Sequence, residues 1–128
     1  MKPHLLLVDD DRDELSILSD ALTDAGIDCK CTWATSPLQA IDMLHYLYAD
    51  LIFIDYNMPK MNGIECIESI RQLKRCNNIP IVLYSSELSD AIIKRARETG
   101  AQFCLKKTSD LSLLNYHLQQ IFALKPVY

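Results

Sequence analysis

The sequence lacks several features that would assign a function class at once. No apolar run approaches the roughly twenty residues of a membrane-spanning helix. The opening Met1-Lys2-Pro3-His4-Leu5-Leu6-Leu7-Val8 meets acid at Asp9, too soon for the apolar core of a secretory leader. There is no CxxC pair. The five cysteines (Cys29, Cys31, Cys66, Cys76, Cys104) are odd in number and spaced unlike zinc ligands, so reduced thiols in a cytoplasmic protein are expected. No basic stripe is present, and with 17 acids against 13 bases the chain is a poor general binder of nucleic acid. Repeats, low-complexity tracts and long linkers are also missing. The 128 residues fit one domain of ordinary size, and the expectation is a single domain over 1–128 with no output domain attached.

What is present is unevenly distributed charge. Residues 9–14 read Asp-Asp-Asp-Arg-Asp-Glu and carry the whole net charge of −4. The other 122 residues balance. Around this cluster, short apolar runs alternate with amphipathic stretches. Leu5–Val8, Leu51–Ile54 and Ile81–Tyr84 are continuous runs that stop at Asp9, Asp55 and Ser85. Gln102–Leu105 is shorter and stops at Lys106, while Ile27–Trp33 alternates with period two. These predict five strands, the continuous ones covered on both faces and the alternating one at an edge.

Helical periods lie between them. Leu15, Leu18 and Leu22 share a face, as do Leu38, Ile41 and Leu44 behind Ser36-Pro37 as cap and first turn. Further stripes are Ile64, Ile67 and Ile70, then Ala91, Ile92 and Ala96, then Leu111, Leu114, Leu118 and Ile121. All are expected to face a core. Five strands alternating with five helices predict an α/β fold, a doubly wound parallel five-stranded sheet of the flavodoxin-like (βα)5 kind with order 2-1-3-4-5.

Open sheets of this class bind ligands beyond the carboxyl ends of their strands. The residues expected there are Asp9 and Asp10, Asp55, Ser85 and Ser86, and Lys106 with Lys107. Crowded carboxylates repel unless a cation joins them, and all-oxygen ligands suit a hard ion such as Mg²⁺. An ammonium and a hydroxyl beside that ion suit a phosphoryl group, and an aspartate facing it can attack phosphorus. Each residue also has a structural explanation, such as Asp9–Asp11 capping a helix. All four explanations would then have to fall together at the ends of neighbouring strands.

Val8-Asp9-Asp10-Asp11, Ile54-Asp55-Tyr56-Asn57-Met58-Pro59-Lys60-Met61-Asn62-Gly63, Pro80–Glu87 and Gly100–Lys106 together resemble the receiver domain of bacterial two-component response regulators, stand-alone and chemotaxis-regulator-like. The resemblance covers essentially the whole chain, and its Asp-x-Asn-Met-Pro-x-Met-x-Gly stretch is specific. It implies a phosphorylation-dependent signalling switch. A sensor histidine kinase or histidine phosphotransfer protein would phosphorylate Asp55 with Mg²⁺ as cofactor. Asp9, Asp10, Asp55 and the backbone carbonyl of Asn57 would hold the metal. Ser85, the Ser86 backbone and Lys106 would bind the phosphoryl group. Ser85 and Phe103 would form the switch, and Asn57 and Glu87 would tune dephosphorylation. The surface of helix 4, strand 5 and helix 5 would change for a downstream protein target. The chain would catalyse only its own phosphoryl transfer and dephosphorylation, contact neither nucleic acid nor membrane, and be a monomer or a weak phosphorylation-dependent dimer.

One departure stands out. The family usually has proline after its lysine, often with a cis bond; here Lys107 and Thr108 follow Lys106, so a trans bond is expected and Lys107 is the alternative to Lys106. Two other readings compete. One is a receiver-like docking domain without phosphoryl transfer. The other is an enzyme on the same fold, flavin-binding or an aspartyl phosphatase using Asp9-x-Asp11. The missing Ser/Thr/Gly-rich loop after strand 1 counts against flavin, and the Asp55–Pro59 stretch would be unexplained in the phosphatase.

Overall fold

A computed structural model describes residues 2–124. Its strands are β1 (His4–Val8), β2 (Lys30–Ala34), β3 (Leu51–Ile54), β4 (Ile81–Ser85) and β5 (Phe103–Lys106). Its helices are α1 (Asp13–Asp24), α2 (Pro37–Met43), α3 (Gly63–Arg71), α4 (Asp90–Thr99) and α5 (Leu111–Leu124), with a single 3₁₀ turn at Lys74–Cys76. All strand pairings are parallel and the order is β2-β1-β3-β4-β5, the expected one.

The pleat sorts the apolar runs onto two faces. Leu5, Leu7, Phe53, Val82, Tyr84 and Leu105 pack with Leu18, Ala21 and Leu22 of α1 and Leu114, Leu118 and Ile121 of α5. Leu6, Val8, Ile52, Ile54, Ile81 and Leu83 pack on the other side with Ala40, Leu44, Ile64, Ile67, Ile70 and Ala96 from α2, α3 and α4. Each buried Leu or Ile contributes about 1.5–3 kcal/mol. β2 and β5 are the edge strands, and β2 is only half-buried.

Local chemistry sets the helix starts. Ser36 accepts from Gln39 N–H ahead of Pro37, and Ser89 accepts from Ile92 N–H. Asn62 and Glu65 form a reciprocal capping box at α3. Three expected core positions are exposed instead: Leu38, Ala91 and Leu111. In α2 the inward stripe is Pro37, Ala40, Ile41 and Leu44, which rotates Leu38 outward. In α4 only Ala96 is buried. Leu111 opens α5 at the cavity rim described below. All five cysteines are free thiols. No helix among the described residues is long and apolar enough to cross a membrane.

Candidate functional site

The register brings the strand ends together. Val8 pairs with Ile54, Ile54 with Leu83, and Ser85 with Lys106. Asp9 and Asp55 therefore leave the sheet side by side, and Asp55 N–H donates to Val8 O at 2.9 Å. Asp9 is fully buried, Asp55 is 7% exposed, and Asp10 reaches solvent. Carboxylate oxygens of Asp9, Asp10 and Asp55 all lie within 4.8 Å of one another. They line an open cavity of about 670 Å³ with Glu14, Tyr84, Ser86, Lys107 and Thr108.

The backbone around the carboxylates is tightly held. Asp9 Oδ1 accepts from Asp11 N–H at 2.9 Å. Trp33 Nε1 donates to the Asp9 backbone carbonyl at 2.7 Å, tying the edge strand to the acidic rim. Gly63 N–H donates to Tyr56 O at 2.8 Å, so the loop after β3 folds back over Asp55. A Cβ on Gly63 would sit 2.4 Å from Asp55 O, which is why only glycine fits there. Asp11 is exposed at the cavity edge, outside the cluster of Asp9, Asp10 and Asp55, and its carboxylate accepts from Asp13 N–H at 3.0 Å. That position does not suit the second aspartate of a phosphatase pair.

The cation in this site is Lys107, not Lys106. Lys107 Nζ lies 2.7 Å from Asp9 Oδ2, 3.6 Å from Glu14 Oε1 and 3.7 Å from Asp55 Oδ1, and it sits over the Tyr84 ring at 5.4 Å. Lys106 is exposed. The reason is the pleat. β5 runs one residue further than expected, through Lys106, and Lys107 N–H extends the pairing by donating to Ser85 O at 2.9 Å. Alternation from Phe103 through Leu105 then brings Lys107, not Lys106, to the side occupied by Tyr84. The peptide bonds here are trans, as expected.

The expected pairing of Ser85 with Phe103 also needs correction. Phe103 packs with Leu105 and Tyr84 on the α1–α5 face, whereas Ser85 follows Leu83 in the opposite phase of β4. The β5 residue that packs on Leu83's side is Cys104. Phe103 is therefore not placed to fill room left by the Ser85 hydroxyl. Ser85 itself is buried, its hydroxyl accepts from Glu87 N–H at 3.4 Å, and it partly offsets the upward shift of the Asp55 carboxyl. Ser86 is exposed at the cavity wall. Asn57 and Glu87 are both exposed and joined by a 2.6 Å hydrogen bond from Asn57 Nδ2 to Glu87 Oε2.

Electrostatics follow from this crowding. Burial pushes the Asp55 carboxyl above the usual aspartate range, Lys107 opposes the shift, and Asp9 adds to it. Glu14 is likewise raised, first by burial. Burial alone would lower the Lys107 ammonium, but the hydrogen bond to Asp9 and the charges of Asp9, Asp55 and Glu14 together leave it raised. Three carboxylates thus share one lysine, with Asp10 beside them. The donor set is all oxygen and partly open to solvent, which fits a hard divalent cation retaining some of its water.

Glu14 and Trp33 were not legible as site residues in the sequence, and Lys107 was legible only as the alternative to Lys106. Lys107 could have been found by carrying the period-two count past Leu105. Glu14 extends the buried stripe of Leu18, Ala21 and Leu22 toward the start of α1, so it is an acid at an inward position. Nothing in the sequence marks Trp33 as a partner of Asp9.

The signature of the response regulator receiver domain matches residues 5–119. The chain belongs to that family. It is 36% identical to the transcriptional regulatory protein CpxR homolog of Haemophilus influenzae over 80% of its own length and 43% of that protein's, so it spans less than half of that relative. It is 34% identical to the two-component response regulator ORR5 of Oryza sativa subsp. japonica, over 88% of this receiver and 85% of the relative. Chemotaxis protein CheY4 of Vibrio cholerae superimposes with a TM-score of 0.82 at 26% identity, covering 94% of this receiver and 99% of CheY4. The acidic rim of the receiver is thus the pocket built by Asp9, Asp10 and Asp55, with Lys107 as its ammonium.

Proposed function

We propose that this receiver is a phosphorylation-dependent switch whose phosphoacceptor is Asp55. The observation that carries the reading is the convergence of three carboxylates within 4.8 Å, with Lys107 Nζ 3.7 Å from Asp55, in an open cavity. Asp9, Asp10, Asp55 and the Asn57 backbone carbonyl would hold Mg²⁺. When bound, the ion supplies positive charge against the carboxylates and the incoming phosphoryl oxygens.

An Asp55 carboxylate oxygen attacks the phosphorus of a phosphohistidine carried by a sensor kinase or phosphotransfer protein. The new O–P bond forms as the P–N bond breaks, and the departing imidazole takes the electron pair and a proton. Lys107 neutralises charge on a phosphoryl oxygen, and the Ser85 hydroxyl and Ser86 N–H donate to others. Water later cleaves the acyl phosphate. Asn57 and Glu87, hydrogen-bonded to each other, would order that water. The receiver then acts only on its own phosphoryl group and works by contact, in the cytoplasm, with a protein target.

The switch surface is assigned to α4, β5 and α5. Ser85 O accepts from Lys107 N–H at 2.9 Å, so inward movement of Ser85 toward a phosphoryl group draws on the end of β5. Movement there shifts a population between two packings and does not create a new state.

Incubation with acetyl phosphate and Mg²⁺ tests the assignment. The parent should label to near one phosphoryl group per chain, and Asp55→Asn should not label. Equal labelling of Asp55→Asn would place the acceptor elsewhere, and an unlabelled parent would favour a docking domain without phosphoryl transfer.

A further inference from the structure

Of the cavity carboxylates that the phosphoryl-transfer chemistry leaves without a task, Asp11 is exposed and accepts from Asp13 N–H, whereas Glu14 faces inward. It is the second residue of α1, and its side chain is only 14% exposed. Its Oε1 lies 3.6 Å from Lys107 Nζ, and its Oε2 is buried with no hydrogen-bond partner among the described residues. Lys107, Asp9 and Asp11 are the charged groups that bear on it. A carboxylate at an inward helix position, half-satisfied, is costly to keep. Beyond the favourable dipole of the α1 start, its side-chain partner among the described residues is the ammonium that the phosphoryl group needs.

Lys107 is shared among three carboxylates, and they are not equivalent. Asp9 and Asp55 belong to the cluster that can hold a divalent ion, whereas Glu14 lies outside it. Once Asp9 and Asp55 are engaged, Glu14 is the remaining partner competing with a phosphoryl oxygen for the same ammonium. It also adds negative charge to the wall of a cavity that must admit an anionic donor.

We propose that Glu14 is a positioning residue for phosphoryl transfer: it holds the Lys107 ammonium on the α1 side of the cavity and restrains phosphorylation by anionic donors. This rests on Asp55 and Lys107 serving as proposed above. Removing the charge while keeping the shape releases Lys107 toward the donor. Glu14 acts through Lys107 and touches neither phosphorus nor the acceptor oxygen.

The experiment is the rate of labelling by acetyl phosphate in Mg²⁺, measured over a range of donor concentrations, for the parent, Glu14→Gln, Lys107→Met and the double variant. Glu14→Leu serves as a second release variant that continues the apolar stripe, and thermal melts confirm that each is folded. At subsaturating donor, Glu14→Gln and Glu14→Leu should label about fivefold faster than the parent. The acceleration should vanish in the Lys107→Met background, a dependence that a general effect on folding would not produce. Rates equal to or below the parent's would overturn the proposal, as would an acceleration that persists undiminished without Lys107. If the parent itself fails to label, the acceptor assignment fails instead, so the two failures are distinguishable.

Discussion

Two cations sit at opposite ends of the sheet, and their surroundings differ in kind. At the amino end, Arg71 donates to Gly100 O at 2.7 and 3.2 Å, to Cys76 O at 2.8 Å, to Asn77 O at 3.2 Å and to Gln102 Oε1 at 3.1 Å. Gln102 Oε1 also accepts from Ile81 N–H at 2.9 Å, so one guanidinium joins the end of α3 to the starts of β4 and β5. Every partner is a neutral oxygen, and the fork geometry of arginine meets each along a donor direction. At the carboxyl end, Lys107 faces three carboxylates, one with an unpartnered oxygen, while Asp10 adds a fourth negative charge nearby. The Arg71 cluster is satisfied and serves to hold the fold. The Lys107 cluster holds excess negative charge, which a divalent cation would offset.

Removing the satisfied cation should have the largest effect. Arg71→Ala strands several partly buried carbonyls and should cost about 3 kcal/mol of stability, read by urea denaturation. Acetyl phosphate labelling of the folded fraction should be unchanged. At the other end the sign reverses. Asp55→Asn relieves repulsion among the carboxylates and should stabilise the metal-free protein by about 1 kcal/mol at neutral pH. The same repulsion sets a pH dependence. The folded state raises the Asp55 and Glu14 pKa values, so it binds those protons more tightly than the unfolded chain. Their contribution to stability therefore improves as pH falls from neutrality through the raised values, and the gain levels off below the ordinary carboxylate range. Lys107 works at the alkaline end: its contribution is full below the ordinary lysine pKa and is lost as pH rises through its raised folded value. Denaturation at a series of pH values, in chelator, should show a smaller acid-side gain in Asp55→Asn than in the parent.

The contrast also explains what could be seen before the fold was known. Continuous apolar runs ending in acid located β1 and β3, because parallel strands covered on both faces leave no other place for a charge than their ends. Asp9, Asp10 and Asp55 followed from that; the strand order came instead from five strands alternating with helices and from the period-two pattern of the edge strand. The helix stripes were legible where large residues repeat, as in Ile64, Ile67 and Ile70, and failed where small ones carry the contact. Pro37 and Ala40 make the inward face of α2, and Leu38 does not. The lysine was displaced by one because two adjacent lysines at the end of a short strand differ only in pleat phase, and that phase depends on where β5 stops. Phe103 was misplaced for the same reason. The links from Trp33 to Asp9 and from Glu14 to Lys107 join elements distant in sequence, and neither has a local pattern to announce it.

We propose that Lys107, the one ammonium among these crowded carboxylates, serves a phosphoryl group on Asp55. The most direct test compares Lys107→Ala with Lys106→Ala for labelling by acetyl phosphate in Mg²⁺. Lys106→Ala should label at the parent rate, and Lys107→Ala should label at least roughly tenfold more slowly. A normal rate in Lys107→Ala with a loss in Lys106→Ala would contradict the account.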